Sequence, residues 1–369
     1  MGIRKRKNGE GGISKRNDGR YNVSLGSVYT TAKDYQTARA KLKELKEKAA
    51  RGDPMTVQRA SVESYMKDWL VSKKNSLKPA SYKRLEQTFN NQVVKHIGGL
   101  QMQALRADDI LDMVNDVFEK QSYSTAKKAF DCVNECMRCA VRKRQLVFNP
   151  CEGVILPKKP VRTVEDEEMC YYTPEQIKMI VEEANRKHSN GTPVYKYGQV
   201  ILLLLATGMR EGEVLYLKWK NVDIENRRLL VCGNVVEVEH TLIEQDTPKT
   251  NSGNRIIPLN TRAVEALLSL EKSGNGDRVV ATKSGKAVYP SSIRRTMNSI
   301  VRECGISGIK SKVHALRHTF AVTLIRGGTD IKAVSQILGH SDITVTLGTY
   351  HHIIDEQRKN AVDIIDDIF

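Results

Sequence analysis

The sequence contains no apolar run long enough to cross a membrane. Its longest uninterrupted apolar stretch, "VILLLLA" from Val200 to Ala206, is far shorter than the roughly 20 residues that a membrane-spanning helix needs. The N-terminus, "MGIRKRKNGE", also lacks the apolar core of a signal peptide. We therefore expect no membrane partner and a cytoplasmic, nucleoid-associated location.

Cysteine is scarce. There are seven cysteines among 369 residues, an odd number scattered along the chain, so a disulfide framework is not expected. Cys132, Cys136 and Cys139 come closest to a metal-binding pattern, but the same spacing places three small side chains on one face of a helix. This spacing favours packing, and we expect no metal site and no cofactor.

Acidic residues are too few to balance the basic ones. Lys and Arg number 59 against 43 Asp and Glu, which gives a formal net charge of +16 and makes nucleic acid the leading candidate partner. Hydrophobic residues make up 40% and charged residues 28%, as in folded proteins. The length predicts two or three domains, because one core rarely fills a chain of this size.

The first 55 residues are predicted to form a small sheet followed by a helix. "NDG" at Asn17–Gly19 is typical of a hairpin turn, and the following "YNVSL" alternates apolar and polar residues as a half-buried strand does. A helix is predicted over residues 37–51. The alternative is a solvated basic leader with one surface helix. Candidate DNA-binding residues in this segment are Arg4, Lys5, Arg6, Lys7, Lys15, Arg16 and Arg20.

Residues 56–150 are predicted to form a helical-bundle domain. Apolar residues recur with helical period over four segments, which are 57–73, 79–94, 106–119 and 122–145. The last segment also carries a basic face that suits DNA phosphates, although a simply solvated face is the alternative. Its candidate DNA-binding residues are Lys127, Lys128, Arg138 and Arg142.

A linker is predicted over residues 151–172, in the stretch between Asn149 and Thr173 whose three prolines interrupt any regular period. The third domain, 173–369, begins with a helix whose start is well marked. Thr173 is the predicted N-cap, Pro174 occupies the first helical position, and Gln176 completes a capping box.

Four short motifs in the third domain carry chemically active side chains. "ATGMREGE" places Arg210 and Glu213 at a turn between two helices. "PKTNSGNRIIPL" and the preceding "VVEVEHTLI" predict a hairpin with Lys249 near its tip. "HALRH" and "LGH" follow, with a tyrosine ten residues past the last histidine. Each motif alone is unspecific, because paired charges and bonded histidines are common structural devices.

Taken together and in this order, the motifs resemble the tyrosine recombinase (phage integrase) family over residues 173–369. The resemblance implies a multidomain, mainly α fold with small β-sheets. Its parts would be an N-terminal three-stranded sheet plus helix that binds arm-type DNA, a helical-bundle domain that binds core-type DNA, and a mixed α/β, mostly α, catalytic domain.

The resemblance also implies a set of site residues. The family's catalytic residues fall on Arg210, Lys249, His314, Arg317, His340 and Tyr350. Glu213 matches the acidic residue that orients the first arginine. His318 is one imidazole more than the set requires, and we interpret it as a buried, structurally bonded neighbour. His351 and His352 have no assigned role, and Tyr171, Tyr172 and Tyr195 are interpreted as packing residues.

The implied reaction is strand cleavage and rejoining through a covalent 3′-phosphotyrosine, without a cofactor. Ionising a phenol with a pKa of about 10 at pH 7 costs roughly 4 kcal/mol, and nearby cationic groups can offset this cost. Two arginines would bind the phosphate oxygens in place of a metal ion, and Lys249 would protonate the departing 5′ oxygen.

The implied partners are double-stranded DNA, three further copies in a homotetramer, and accessory excision or host DNA-bending factors. A C-terminal segment, residues 362–369, is expected to dock on a neighbouring protomer or to cap its own chain. Two alternatives stay open. One is a non-catalytic DNA-binding protein of the same fold, and the other is a type IB topoisomerase. The target DNA sequence cannot be deduced from the basic residues.

Overall fold

The computed structural model describes residues 11–25, 28–51, 60–160, 171–245, 254–273, 276–351 and 353–354. The chain divides into two compact units, Met1–Pro160 and Val161–Phe369. In the described residues no helix has both the length and the apolar character to cross a bilayer.

The first unit begins with the predicted sheet and helix. Strands β1 (Gly12–Lys15), β2 (Tyr21–Leu25) and β3 (Val28–Ala32) form an antiparallel sheet in that order, followed by helix α1 (Tyr35–Arg51). Val23 and Ala32 of the sheet and Ala38 of α1 form a small shared core. The helix begins two residues earlier than predicted, and the Asp34 carboxylate accepts the Thr37 amide at 2.8 Å at its start.

The basic residues of this segment have separate outcomes. Lys15, Arg16 and Arg20 are exposed around the first turn, where the Arg16 guanidinium lies 3.7 Å from the Asp18 carboxylate. Arg4, Lys5, Arg6 and Lys7 lie outside the described residues. Their contact with DNA remains a prediction.

The rest of the first unit is a helical bundle. Its helices are α2 (Val62–Lys73), α3 (Pro79–Thr88), α4 (Val94–Ile97), α5 (Ala107–Lys120) and α6 (Tyr123–Arg142), and a π-helical turn at Phe89–Val93 joins α3 to α4. The four predicted helical segments are thus present, with ends shifted by a few residues. A short 3-10 helix, Pro150–Gly153, follows the bundle, and residues 154–160 have no regular structure.

Helix α6 separates an apolar face from a charged one. Cys132 and Cys136 are buried in the bundle core, as the packing interpretation predicts, and burial raises the pKa of the Cys132 thiol to about 12. Its candidate DNA-binding residues, Lys127, Lys128, Arg138 and Arg142, are exposed, although Lys127 is paired with Asp131 at 3.1 Å.

The second unit is mixed α/β and mostly helical. Its helices are α7 (Pro174–Ala184), α8 (Gly198–Thr207), α9 (Glu211–Tyr216), α10 (Thr261–Ser273), α11 (Pro290–Glu303), α12 (Lys312–Arg326), α13 (Ile331–Leu338) and α14 (343–351), with a 3-10 turn at Trp219–Asn221. Its strands are β4 (Val222–Asp223), β5 (Arg228–Val231), β6 (Asn234–Val238), β7 (Thr241–Gln245) and β8 (Arg255–Pro258).

The capping box predicted at the start of this unit is confirmed. The Thr173 hydroxyl accepts the Gln176 amide at 3.3 Å, and the Gln176 side chain accepts the Thr173 amide at 3.0 Å. The preceding Tyr172 is buried, and its hydroxyl donates to the Lys312 carbonyl at 2.8 Å, so it packs as expected.

The predicted hairpin around Lys249 is wrong in its pairing. β6 and β7 pair with each other, so "VVEVEHTLI" is itself a hairpin, closed by Glu239 and His240 with positive φ angles of 49° and 61°. β8 instead pairs with β5 in a separate sheet ordered β4-β5-β8. Paired positive φ angles close two-residue hairpins, but Glu and His rarely adopt them, so this turn has no signal in the sequence. Lys249 itself lies outside the described residues.

The second unit has two apolar clusters that hold the site. The larger one includes α7 to α11 and the buried start of α12. The smaller one joins α12, α13 and α14 and contains Ala321, Val334 and Tyr350. Helix α12 belongs to both, so its polar side chains are fixed between them.

Candidate active site

Arg210 is positioned by a sharp turn between α8 and α9. Gly208 ends α8 with φ +64°, and a Cβ atom there would lie 2.4 Å from the Phe320 ring, so glycine is required for both reasons. Arg210 then caps α9, its backbone amide donating to Glu213 at 2.8 Å. Its guanidinium donates to the other Glu213 oxygen, also at 2.8 Å.

A second arginine, Arg255 on β8, holds Glu213 from the opposite side. It donates to both Glu213 oxygens, at 3.0 and 2.7 Å, and its Nε donates to the Ile337 carbonyl at 2.6 Å. Arg255 is buried, so these bonds are shielded from water. Arg255 lies within the motif "PKTNSGNRIIPL", but its sequence context predicts no role for it.

Glu213 is ionised at any ordinary pH. Its burial alone would raise the pKa, but hydrogen bonds and charge from Arg255, with the charge of Arg210, lower the pKa to about 2. The predicted orienting contact to Arg210 is present, and the carboxylate serves two guanidiniums at once.

Arg317 lies at the centre of the site and is buried. Its guanidinium donates to the Gly208 carbonyl at 2.8 Å and to the Leu338 carbonyl at 2.6 Å. These bonds tie α12 to the ends of α8 and α13. Burial and then the nearby Arg210 charge lower its pKa to about 9.

The two predicted histidines approach from different elements. His314 lies one turn before Arg317 on α12 and is exposed to a cleft, and its pKa is lowered by partial loss of solvation there and by the charges of Arg317 and Arg210. His340 follows Gly339, whose φ of +68° ends α13. Burial and the same arginines lower the pKa of His340 to about 4, and its Nδ1 is bonded to the Thr346 hydroxyl at 2.7 Å.

A cleft of about 450 Å³ opens over Arg210, His314 and Arg317. Its other charged lining residues are Glu211, Arg294, Lys310 and Lys312. Glu211 accepts a bond from Arg294 at 3.1 Å, and burial raises its pKa. The cleft is strongly positive and wide enough to admit an anion, and none of the four sequence motifs predicts Arg294, Lys310 or Lys312 as part of it.

Tyr350 lies beside these groups on α14. It is 3% exposed, and its hydroxyl lies 2.8 Å from Nδ1 of His318. A negative charge on the Tyr350 oxygen would act to raise the pKa of Arg317, against the larger lowering caused by burial. His318, interpreted from sequence as a structural neighbour, thus contacts the phenol itself.

The structure brings Arg210, Glu213, His314, Arg317, His340 and Tyr350 to one region of the second unit. Lys249, His352 and residues 362–369 lie outside the described residues, and His351 is exposed. Among the residues that the structure describes, no group of three or more His, Cys, Asp or Glu side chains is placed to hold a metal ion.

Two arginines, two histidines and a phenol in one mostly helical domain define the tyrosine recombinase class. The chain belongs to the phage integrase family, whose model matches residues 171–357, and the model of the phage integrase central domain matches residues 62–154. It is accordingly a tyrosine-type site-specific recombinase.

Known relatives are similar in sequence to this chain over most of its length. A tyrosine recombinase XerC-like protein of Caldanaerobacter subterraneus subsp. tengcongensis is 27% identical over 366 residues, covering 91% of this chain and 90% of the relative. The integrase of Staphylococcus phage L54a is 23% identical, covering 67% of this chain and 75% of that protein.

Solved structures share the fold. The Tn1549 transposon integrase in complex with a circular intermediate DNA has a TM-score of 0.67 at 21% identity, covering 79% of this chain and 95% of that one. A λ integrase dimer bound to a core site has a TM-score of 0.62 at 15% identity, covering 95% and 96%.

Proposed function

We propose that this recombinase integrates and excises a mobile element by cutting DNA with Tyr350. The observation that carries the proposal is the convergence of Arg210, Arg317 and two histidines beside that buried phenol. The fold shared with integrases of a transposon and a phage supports the mobile-element assignment.

The cleft over Arg210 and Arg317 would bind the scissile phosphate. Planar guanidiniums present paired N–H donors to phosphate oxygens, and donors fixed in advance stabilise the charge that develops in the transition state. Arg210 and Arg317 are both fixed by hydrogen bonds, to Glu213 and to two carbonyl oxygens. His314 and His340 would add uncharged hydrogen-bond donors beside them.

Tyr350 would attack the phosphorus and remain attached to the 3′ phosphate. The phosphotyrosine keeps the energy of the broken ester, so rejoining needs no external energy source. Lys249 would protonate the departing 5′ oxygen, which is a role suited to an ammonium group.

The first unit would make most of the contacts that bind DNA. The sheet and α1, over residues 1–55, would bind arm-type sites, and the bundle, over residues 56–150, would bind core-type sites through the exposed α6 face. Residues 151–172 would link it to the catalytic domain, 173–369. The exposed Arg138 and Arg142 on α6 support this arrangement.

A complete reaction would use four protomers on two duplexes, and accessory excision or host DNA-bending factors would set its direction. A λ integrase tetramer bound to a Holliday junction shares this fold, with a TM-score of 0.59. Residues 362–369 would dock on a neighbouring protomer, and an intramolecular cap is the competing arrangement.

The test is product analysis on DNA that carries two copies of a cognate site selected from random-sequence duplexes. The wild-type chain should exchange strands between the two sites, and Tyr350→Phe should bind the site nearly as well and give no product. Relaxation of supercoils without exchange would instead indicate a topoisomerase, and binding without cleavage a non-catalytic protein.

A further inference from the structure

His318 contacts the one atom that the proposed reaction uses as its nucleophile. It lies one turn after His314 on α12, and the two rings meet edge to face with centroids 4.6 Å apart. On its other side the ring meets the Tyr350 ring at 5.7 Å, and Nδ1 lies 2.8 Å from the phenol oxygen. A row His314–His318–Tyr350 therefore runs from the cleft to the phenol.

The imidazoles of His340 and His314 have different contacts. His340 is bonded through Nδ1 to the Thr346 hydroxyl at 2.7 Å. His314 lines the phosphate cleft together with Arg210 and Arg317. His318 is the imidazole whose bond to the phenol the structure describes, and a distance of 2.8 Å is within reach for direct proton transfer.

A positive charge on His318 before the reaction would lie close to that of Arg317. Arg317, next to His318 in sequence, is buried and positively charged, and the pKa values of both His314 and His340 are lowered. A further cation here would add to this repulsion. Tyr350 is almost completely buried, so bulk water has little access to its proton.

We propose that His318 accepts the proton of Tyr350 when the phenol attacks DNA. This inference rests on the proposed role of Tyr350 as nucleophile. It requires the imidazole tautomer with its proton on Nε2, which leaves Nδ1 free to accept.

In the forward step the Tyr350 O–H bond breaks and its proton moves to Nδ1 of His318. The phenolate electron pair forms the bond to phosphorus, the bond from phosphorus to the 5′ oxygen breaks, and that oxygen takes a proton from Lys249. In rejoining, the 5′ hydroxyl attacks, its proton returns to Lys249, and the departing phenolate recovers its proton from His318. No external reactant is needed, because each proton returns to its source.

The test measures single-turnover cleavage of a nicked cognate duplex, on which the covalent complex accumulates. His318→Asn keeps a polar atom near the position of Nδ1 but cannot take up a proton. General base catalysis contributes about 10²- to 10⁴-fold, so cleavage should slow by about that factor while DNA binding is kept. Replacing Tyr350 by difluorotyrosine, whose phenol ionises more easily, should restore most of the rate in this variant.

Two controls identify the step. His351→Asn changes the exposed histidine next to Tyr350 and should cleave at the wild-type rate. Lys249→Ala should be rescued by a substrate with a 5′-bridging sulfur, which needs no proton to depart, and not by difluorotyrosine. His318→Asn should show the reverse pattern.

Cleavage by His318→Asn at the wild-type rate would overturn the proposal, and so would a slow variant that difluorotyrosine does not rescue. Either result leaves the proposed function standing as long as Tyr350→Phe fails to cleave. A measurement on the unaltered chain covers the case in which the variant does not fold. Nitrogen NMR shifts of His318 should show the proton on Nε2 in the free protein, and a proton on Nδ1 would contradict the proposal.

Discussion

At the residue scale, the site depends on contacts between segments that are far apart in the chain. Arg210, His314, Arg317, His340 and Tyr350 could be identified from sequence because each belongs to a short motif of the resembled family. The contacts of Arg255 and His318 could not, since Arg255 bonds Glu213, 42 positions away, and His318 bonds Tyr350, 32 positions away. No local pattern encodes such a pairing, so only the folded structure reveals it.

The buried charge cluster at Glu213 gives a stability prediction. Arg255→Met would leave Glu213 buried with only Arg210 as partner, and removing one member of a buried ion pair typically costs about 3 kcal/mol. Urea unfolding at pH 7 should show a loss of this size. The exposed pair Arg262–Glu265 provides a control, because Arg262→Met should cost less than about 1 kcal/mol.

The same cluster predicts the direction of the pH dependence. The folded-state pKa of Glu213, about 2, is below its unfolded value of about 4.3, so the ionised carboxylate stabilises the fold above that unfolded value. The contribution falls as the pH drops from about 4 towards 2. The difference between wild type and Arg255→Met should therefore shrink between pH 7 and pH 3.5, and a difference that grows in acid would contradict this assignment.

At the element scale, helices were predictable where their ends carry clear signals. Thr173 and Gln176 form the expected capping box, and the α6 helix begins within one residue of the predicted start at 122, where the Ser122 hydroxyl accepts the Thr125 amide at 3.2 Å. Strand pairing was not predictable in the same way. The Glu239–His240 turn lacks glycine or asparagine, so the β6–β7 hairpin was mistaken for one strand.

The turn after α13 gives a prediction with a matched control. Gly339 and Gly305 have nearly equal φ angles of +68° and +67°, but a Cβ on Gly339 would lie 2.9 Å from Arg255, whereas one on Gly305 would meet nothing within 4 Å. Gly305→Ala should cost about 1 kcal/mol through backbone strain alone. Gly339→Ala should cost more, and it should slow cleavage, because Arg255 and His340 must shift. Equal effects of the two changes in unfolding and cleavage assays would contradict this account.

The charged face of α6 yields a prediction about DNA binding. Each phosphate contact makes the fall of log K with log salt steeper by about 0.9. Arg138→Ala should therefore make that slope less steep by about 0.9, the amount expected for the loss of one phosphate contact. Lys127→Ala should change the slope less than Arg138→Ala does, because Lys127 is already paired with Asp131 at 3.1 Å. An unchanged slope for Arg138→Ala in titrations at several salt concentrations would remove this face from the DNA interface.

At the scale of the whole molecule, composition and length indicated the general plan. The net charge of +16 indicated a nucleic-acid partner, and the length indicated more than one domain. The chain divides into two compact units after residue 160, a position within the predicted linker of 151–172. The predicted boundaries of the individual domains remain predictions, because sequence composition marks a linker without defining where each core ends.

The reaction as a whole should not depend on a divalent metal ion. Fixed guanidiniums at Arg210 and Arg317 already supply the positive charge that a metal would bring to the phosphate. Cleavage of a nicked cognate duplex should proceed at the same rate with EDTA as with Mg²⁺. A rate that falls with EDTA and recovers with added Mg²⁺ would contradict this mechanism.

The central claim is that Tyr350 becomes covalently joined to DNA. The most direct measurement traps the complex on a nicked cognate duplex, digests the protein, and identifies the DNA-linked peptide by mass spectrometry. The account predicts a single attachment at the Tyr350 oxygen through a 3′ phosphate. Attachment at any other residue, or through a 5′ phosphate, would contradict it.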